Sequence, residues 1–283
     1  TLQNGFASAE KIFDVLDTKP DIEDEEDAIE LNEFKGSIEF KDVWFSYIPD
    51  EWVLKGISFK VNPDETVAFV GATGSGKTTI LQLIVRNYDI QKGEILIDGI
   101  DIKKIKRSSL RKFVGQMLQD VFLFSGTVKD NITLFDDSIS DERVIEASEY
   151  VGLNHVLNRL PDGLNHEVRE RGNNFSSGER QLISFARAVV YKPSLMILDE
   201  ATANIDSETE AIIQESLKKM MNISTMLIVA HRLSTIQHSD KIIVMHKGEI
   251  KEMGNHQDLL KRKGLYYNLY QLQYDNQEVI ESV

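Results

Sequence analysis

Residues 71–78 of the chain read Gly-Ala-Thr-Gly-Ser-Gly-Lys-Thr. A short apolar run, Thr66–Val70, comes directly before them, and apolar residues recur at helical spacing after Lys77. A strand, a glycine-rich turn and a helix in this order open a βαβ unit. The segment therefore predicts an α/β fold that is built on a parallel sheet.

These eight residues also match the pattern G-x-x-x-x-G-K-[ST] of a phosphate-binding loop. The glycines allow successive backbone N–H groups to surround phosphate oxygens, and the following helix adds the positive end of its dipole. Lys77 supplies a charge for the β- and γ-phosphates, and the hydroxyl of Thr78 is suited to Mg²⁺. Because a strand and a helix flank the loop, we favour ATP or GTP binding over a glycine turn without a ligand. The predicted nucleotide contacts are Gly71, Thr73, Gly74, Ser75, Gly76, Lys77, Thr78 and Thr79.

The apolar run Leu195–Leu198 ends in two carboxylates, Asp199 and Glu200. A strand of this kind delivers Asp199 to the edge of a parallel sheet, where its carboxylate can organise Mg²⁺. Glu200 points to the other side and can polarise a water molecule for attack on the γ-phosphate. By itself the segment is typical of a strand end with two solvated acids. The phosphate loop about 120 residues upstream favours the catalytic interpretation.

Residues 175–181, Phe-Ser-Ser-Gly-Glu-Arg-Gln, open a stretch with a broad apolar face over residues 178–191. At a helix N-terminus, Ser176 and Gly178 can form a second anion site from a hydroxyl, free N–H groups and the helix dipole. Ser176 with Glu179 three residues later is also an ordinary capping box. From this segment alone, the cap is the favoured interpretation.

The chain has 283 residues, 46 acidic and 32 basic side chains, a formal charge of −14 and no cysteine. The absence of cysteine excludes disulfides, thiolate metal sites and a cysteine nucleophile. The acidic excess argues against nucleic acid as a partner, since phosphate backbones are bound by clustered Lys and Arg. Residues 21–33 hold eight carboxylates and neither Lys nor Arg, which predicts a solvated linker.

Apolar periodicity outlines the rest of the chain. It predicts an amphipathic helix over residues 6–16, largely helical structure over 138–160, and a further amphipathic segment at 265–273. Runs typical of strands are Ser37–Phe45, Trp52–Val61, Gly93–Ile97, Thr225–Ala230 and Lys241–Met245. We expect a parallel α/β core that is preceded by an antiparallel flap and interrupted near 120–190 by a helical insert. No apolar stretch approaches the roughly 20 residues of a membrane-spanning helix.

Four motifs stand in a fixed order: the phosphate loop, Ser-x-Gly-x-x-Gln at 176–181, Leu-Asp-Glu-Ala-Thr at 198–202, and Val-Ala-His-Arg at 229–232. This order and spacing resemble the nucleotide-binding domain of ABC transporters over residues 36–270. The resemblance implies a P-loop NTPase of the ABC ATPase type, with a RecA-like parallel core, an antiparallel β subdomain and an inserted helical subdomain at about 120–190. The implied divisions are a linker from a transmembrane domain at 1–35, the ATP-binding domain at 36–274, and a C-terminal tail at 275–283.

The resemblance assigns roles to residues that match the family's motifs, with ATP and Mg²⁺ as cofactors. Glu200 is the implied catalytic glutamate, and His231 is the switch histidine that contacts the γ-phosphate. Gln119 is the implied glutamine that contacts Mg²⁺ and senses the transmembrane partner. The implied catalytic set is Glu200, His231, Lys77 and Gln119, and the implied metal ligands are Thr78, Gln119 and Asp199.

Three further positions, which belong neither to the implied catalytic set nor to the implied metal ligands, also match the family's pattern. Tyr47 falls where the family keeps an aromatic side chain that stacks on adenine. Asp206 matches the D-loop aspartate, and Glu170 matches the cross-talk segment typical of exporters. A structural role is the alternative for each one alone, and likewise for Gln119 as a loop residue and His231 as a core histidine. The fixed order of the motifs favours the functional interpretation.

The resemblance also implies a dimer, in which the signature segment caps the ATP that is held by a second ABC nucleotide-binding domain. Ser176 and Gly178 are the implied contacts. The usual signature is Leu-Ser-Gly-Gly-Gln, whereas this chain has Ser177 and Glu179 at the third and fifth positions. Ser177 adds a side chain where close approach to phosphate favours glycine, and Glu179 adds a negative charge near a polyanion. We therefore expect a heterodimer with two unequal sites, and a homodimer with a variant signature is the alternative.

Residues 7–17 resemble the exporter segment that joins the last membrane helix to the ATPase. With Thr1 as its first residue, the chain is expected to be the cytoplasmic end of a half-transporter, itself soluble and held at the cytoplasmic face of the cell membrane. Residues 121–124 would line the groove for a coupling helix of the transmembrane domain, and core packing of the helical insert is the alternative for half of these side chains. The alternatives are an importer ATPase subunit, a soluble ABC ATPase of DNA repair or translation, and a non-catalytic regulatory module.

Overall fold

The computed structural model describes residues 2–18, 20, 22–117, 120–199, 207–229 and 233–272. The helices are α1 Leu2–Asp17, α2 Lys77–Ile84, α3 Arg107–Lys112, α4 Val128–Thr133, α5 Asp141–Tyr150, α6 Asn154–Leu157, α7 Ser177–Val190, α8 Ser207–Met220, α9 Leu233–Ile236 and α10 His256–Arg262. A last helical segment covers 265–272. The strands are β1 Ile38–Ser46, β2 Trp52–Val61, β3 Thr66–Val70, β4 Lys92–Ile97, β5 Ile100–Asp101, β6 Val114–Met117, β7 Gly126–Thr127, β8 Glu167–Val168, β9 Leu195–Asp199, β10 Thr225–Val229, β11 Lys241–His246 and β12 Glu249–Gly254.

A six-stranded sheet forms the centre, with the strand order β12-β11-β3-β10-β9-β6. All of its pairings are parallel except that of β12 with β11. Every residue of β3 and β10 is buried, as expected for apolar strands that are covered on both faces. Alternate residues of β3 face two different cores, with Ala68 and Val70 in one and Val67 and Phe69 in the other. The α/β fold on a parallel sheet is therefore confirmed.

The antiparallel flap is the four-stranded sheet β2-β1-β4-β5. Its inner face packs against one side of the central sheet through aromatic contacts. Phe40 stacks on Phe59 with 4.5 Å between ring centroids, and Phe59 meets Phe69 of β3 edge-on at 5.5 Å. The predicted flap is therefore present, and it packs against the central sheet, whose strand β3 leads into the phosphate loop.

The insert near 120–190 packs on the other side of the central sheet. Helices α4 and α5 both lie against α7, whose apolar face is buried. The region predicted as helical at 138–160 contains two helices, α5 and α6. They are separated at Gly152, where a φ of +71° ends the first helix. The insert also contains a two-stranded sheet, β7 with β8, which the helical prediction did not include.

The acidic run does not behave as a solvated linker, and that prediction is wrong over residues 24–31. Asp24 accepts hydrogen bonds from the backbone N–H of Arg107, the first residue of α3, at 3.1 Å and from Arg86 Nη1 at 3.3 Å. Ala28 is buried, and Ile29 forms a parallel bridge with Ile105. The run docks because these acids and backbone groups meet cations and amides that lie far along the chain.

Arg86 is the buried centre of this docking, with 2% of its surface exposed. Its Nε pairs with Asp89 at 3.0 Å, and its Nη1 donates to the carbonyl oxygens of Lys103 and Ile105, both at 3.1 Å. Its Nη2 donates to the carbonyl of Glu23 at 3.3 Å. One guanidinium thus satisfies acceptors from three separate segments.

Arg86→Met is expected to lower the free energy of unfolding by about 3 kcal/mol, because it leaves buried carbonyl acceptors and two partly exposed carboxylates, Asp24 and Asp89, without their donor. The measurement is urea denaturation monitored by circular dichroism. Arg169→Met is the matched control, since Arg169 is exposed, and its effect should stay within about 0.5 kcal/mol. Equal losses in the two variants would contradict this account of Arg86.

The amphipathic helix predicted near the start is present as α1. Its apolar stripe is exposed, notably at Phe6, Ile12, Phe13 and Leu16. Among the residues that the structure describes, none of the helices combines the length and the apolar character that crossing a membrane requires.

Candidate active site

The phosphate loop lies at the carboxyl end of β3, between that strand and α2. Gly71 has a φ of +150°, and a Cβ atom there would collide with the carbonyl oxygen of Met245 in β11. Gly76 has a φ of +102°, and a Cβ atom would lie 2.6 Å from Leu54 Cδ2 in the flap. Both glycines are therefore required, because the neighbouring strands leave no room for a side chain.

The side chain of Lys77 lies within the loop and is buried. Its Nζ donates to the carbonyl oxygens of Gly71 at 2.8 Å and Ala72 at 3.1 Å. Burial lowers the pKa of the Lys77 ammonium from its ordinary value, and the charge of Asp199 partly opposes this. Beside it, Ser75 Oγ is buried and has no hydrogen-bond partner among the described residues. A cation and an unused hydroxyl in a glycine loop at a helix N-terminus suit a phosphate ligand.

Thr78 and Asp199 come together from two elements. Thr78 lies in the first turn of α2, and its Oγ1 donates a hydrogen bond of 3.4 Å to Oδ2 of Asp199, the last residue of β9. The parallel pairing of β9 with β10 places Asp199 opposite Val229 at the same edge of the sheet as the loop. Mg²⁺ takes oxygen ligands and keeps several waters, so a hydroxyl and a carboxylate beside a phosphate site fit this ion. The described residues contain no group of three or more His, Asp or Glu that could hold a metal.

Tyr47 directly follows β1, and neighbouring side chains contact both its hydroxyl and its ring. Its hydroxyl shares a hydrogen bond with Thr79 Oγ1 at 3.1 Å. Its ring meets Phe45 edge-on at 4.8 Å and Tyr88 at 5.0 Å, and 49% of the residue is exposed. A ring fixed in this way can stack on a base without first being ordered. Sequence reasoning did not identify Tyr88, because the two tyrosines are 41 positions apart and only the fold brings them together.

Tyr47→Ala is expected to weaken ATP binding about tenfold, since stacking on an aromatic side chain is worth about 1–3 kcal/mol per base. Tyr47→Phe is the matched control: it keeps the ring and removes only the bond to Thr79, so its affinity should stay within about threefold of the native value. Isothermal titration calorimetry with ATP and Mg²⁺ measures both. Similar affinities for the two variants would remove Tyr47 from the base site.

The start of α7 has the predicted capping box. Ser176 Oγ accepts from the backbone N–H of Glu179 at 3.2 Å, and the N–H of Ser176 donates to Glu179 Oε2 at 2.8 Å. The other carboxylate oxygen of Glu179 accepts from Arg159 Nη2, also at 3.2 Å. The extra acid of this segment therefore has a cationic partner. Sequence reasoning missed Arg159, which lies 20 residues before Glu179 and beyond any local pattern.

Residues 121–124 divide between the core and the surface. Leu123 is buried, whereas Phe122 and Phe124 are exposed and meet edge-on at 5.0 Å. Glu170 is exposed, in a short 3-10 turn before α7. Four predicted positions, Gln119, Glu200, Asp206 and His231, lie outside the described residues.

Comparison with known proteins gives consistent matches. A family model described as ABC transporter matches residues 54–203. A probable multidrug resistance ABC transporter ATP-binding/permease protein of Bacillus subtilis is 49% identical over 96% of the chain, and an ATP-dependent lipid A-core flippase of Syntrophus aciditrophicus is 43% identical over 100%. The structure of a bacterial Atm1-family ABC exporter with ATP bound superposes with a TM-score of 0.88, at 38% identity over 96% of the chain. The chain spans 40%, 47% and 47% of these three proteins, respectively.

Proposed function

The chain belongs to the ABC transporter family, and from that premise we propose that it is the ATP-hydrolysing domain of an exporter half. Members of this family bind ATP and hydrolyse it to drive transport. The observation that carries the proposal is the phosphate loop, with Lys77 Nζ inside it and Thr78 beside Asp199. In this proposal Lys77 and the backbone of the loop hold the β- and γ-phosphates of ATP, and Thr78 and Asp199 hold Mg²⁺.

The first 35 residues support an exporter over an importer subunit. Importer ATPases usually begin close to the strand that carries the base-stacking aromatic, whereas here α1 and the docked acidic run precede β1. The match to the lipid A-core flippase extends over all 283 residues and so includes this segment. A short insert between the phosphate loop and α7 also argues against DNA-repair ATPases, which carry long coiled coils there.

We place the domain at the cytoplasmic face of the cell membrane, with Phe122 and Phe124 toward a coupling helix of a transmembrane domain. Buried Leu123 anchors the segment between the two exposed rings. Aromatic side chains on a fixed backbone are the residues that enrich the cores of protein interfaces.

The partner in this proposal is a second ABC domain, and the signature at α7 meets the ATP held by that partner. Ser177 and Glu179 depart from the family's usual residues, and this favours a different chain as the partner. ATP then joins the two domains through its γ-phosphate, and hydrolysis removes that differential affinity.

Two experiments test the exporter and the heterodimer separately. Reading the coding sequence upstream of Thr1 should reveal about six apolar segments of spanning length, and their absence would contradict the exporter half. For the heterodimer, the protein encoded by the whole gene is purified alone and its phosphate release is measured per site. Equal, full turnover at both sites of a homodimer would overturn the proposal of unequal partners.

Arg159→Gln is expected to lower ATP turnover of the assembled dimer about fivefold, the equivalent of roughly 1 kcal/mol for a partly exposed pair. The reason is that the substitution leaves the Glu179 carboxylate without its cation beside the partner's ATP. The measurement is steady-state phosphate release at saturating ATP.

The double variant Arg159→Gln/Glu179→Gln completes the cycle and should recover most of the lost turnover, because the unpaired charge is then gone. Arg169→Gln, which removes an exposed arginine of the same insert, serves as the control. A double variant that is no faster than Arg159→Gln would show that Arg159 does not act through Glu179.

A further inference from the structure

A half-open cavity of about 460 Å³ lies away from the phosphate loop, and we call it the basal cavity. Five stretches of the chain meet around it: residues 34–35 directly after the acidic run, Asp64, helix α5, residues 189–196 from the end of α7 to the start of β9, and residues 223–224 before β10. Strands β3, β9 and β10 are parallel. The loop therefore lies at their carboxyl ends and the basal cavity near their amino ends, roughly 17 Å apart along five-residue strands.

Apolar side chains form the floor of the basal cavity. Phe34, Ala147, Val190 and Met196 are all buried. Phe34 also packs edge-on against Phe113, with 6.4 Å between the ring centroids. A preformed apolar floor in a cavity of this size is typical of sites for small organic molecules.

Two residues that line the basal cavity each carry a buried polar atom without a hydrogen-bond partner in the described part of the chain, namely Arg143 Nε and Ser224 Oγ. Ser224 as a whole is only 4% exposed. Tyr150, which also lines the cavity, is satisfied because its hydroxyl donates to the carbonyl of Lys219 at 2.8 Å. Buried polar atoms nearly always have hydrogen-bond partners. Two unpartnered atoms in residues around one cavity therefore point to a ligand that forms hydrogen bonds with them.

The charges around the basal cavity leave one cation in excess. Glu146 and Lys192 form an ion pair at 3.7 Å. Asp64 and Lys35 also line the cavity, and their opposite charges cancel. Arg143 remains, and neither an ion pair nor a side-chain hydrogen bond joins it to the described residues. Its planar guanidinium matches the geometry of a carboxylate or sulfonate.

We propose that the basal cavity binds a small amphipathic organic anion, with its acid group on Arg143 and Ser224 and its apolar body on the Phe34–Met196 floor. The ligand would touch α5, in the insert, and β9 and Phe34, in the rest of the domain. Binding therefore favours one arrangement of these parts, independently of the nucleotide site.

The test uses the 283-residue chain and the fluorescent anion 1-anilinonaphthalene-8-sulfonate. We expect one saturable site per chain, from which 4-phenylbutyrate displaces the dye while the uncharged 4-phenylbutyramide does so at least about tenfold less well. Arg143→Gln should weaken dye binding about tenfold, and Ser224→Ala, which adds no bulk, about threefold. Lys261→Gln makes the same charge change on the exposed surface of α10 and should leave the affinity unchanged.

Several results would overturn the proposal. Native affinity in both Arg143→Gln and Ser224→Ala would remove the two polar atoms from the site. Equal displacement by the acid and the amide would exclude an anion site. Displacement of the dye by ATP with Mg²⁺ would place it in the phosphate loop instead. Thermal unfolding of each variant separates a lost site from a lost fold, and Ser224→Ala decides the matter if Arg143→Gln does not fold.

Discussion

Lys77→Ala is expected to weaken ATP binding at least about 100-fold. In the proposed site the ammonium supplies charge-assisted hydrogen bonds to the phosphates, each worth about 1.5–3 kcal/mol, and 1.4 kcal/mol corresponds to a factor of ten in affinity. Alanine also removes the donor that holds the carbonyls of Gly71 and Ala72, so the loop loses an internal support. Titration calorimetry with ATP and Mg²⁺ measures the loss.

The controls for Lys77 separate charge from shape. Lys261→Ala removes an exposed lysine of α10 and should bind ATP as the native chain does. Lys77→Met keeps the length of the side chain without its charge, and it should bind almost as poorly as Lys77→Ala. Near-native affinity in Lys77→Met would show that the lysine acts through packing, and the assignment of the phosphates to this loop would then fail.

Glu200→Gln is expected to lower ATP turnover by about 10²–10⁴-fold, the usual contribution of a general base. The amide keeps the size of the side chain and cannot take the proton of the attacking water. ATP affinity should stay within about threefold, because the proposed phosphate contacts come from the loop and not from Glu200. Phosphate release gives the turnover, and calorimetry gives the affinity.

The Glu200→Gln variant should also accumulate as the ATP-bound dimer, because hydrolysis that would separate the domains is slow. Size-exclusion chromatography with ATP and Mg²⁺ detects this dimer. Glu215→Gln is the control, since Glu215 is an exposed acid on α8 that pairs with Lys219. Unchanged hydrolysis in Glu200→Gln would remove Glu200 from catalysis. A loss of turnover together with a loss of ATP binding would instead indicate a binding role.

Local patterns predicted the elements that carry the loop. The bounds of β2 and β3 agree with the sequence to the residue, and α2 begins at Lys77. These segments are short apolar runs with glycines at their ends, so each contains its own start and stop signals. The order of four motifs then identified the family, and the roles of Glu200, His231 and Gln119 remain predictions.

Contacts between distant residues were beyond sequence reasoning. Arg86 and Asp24 are 62 positions apart, and a count of charges in the acidic run does not show that a buried guanidinium requires one of them. Strand β6 was not predicted, since Gly115 and Gln116 interrupt its apolar character at the sheet edge. The basal cavity arises where five separate segments meet, and its two unpartnered polar atoms are recognised only once those segments are placed.

The order of strands in the central sheet has a consequence for synthesis on the ribosome. Strand β3 lies between β10 and β11, and the latter ends at His246, more than 170 residues after the phosphate loop begins. At ordinary elongation rates the ribosome adds that length in on the order of 10 to 30 s. Until β10 has been made, at Val229, β3 has neither neighbour and is an apolar strand with two open edges. The nascent chain therefore carries its nucleotide motif before the central sheet is complete, and slower elongation lengthens the period in which this apolar strand is open to aggregation.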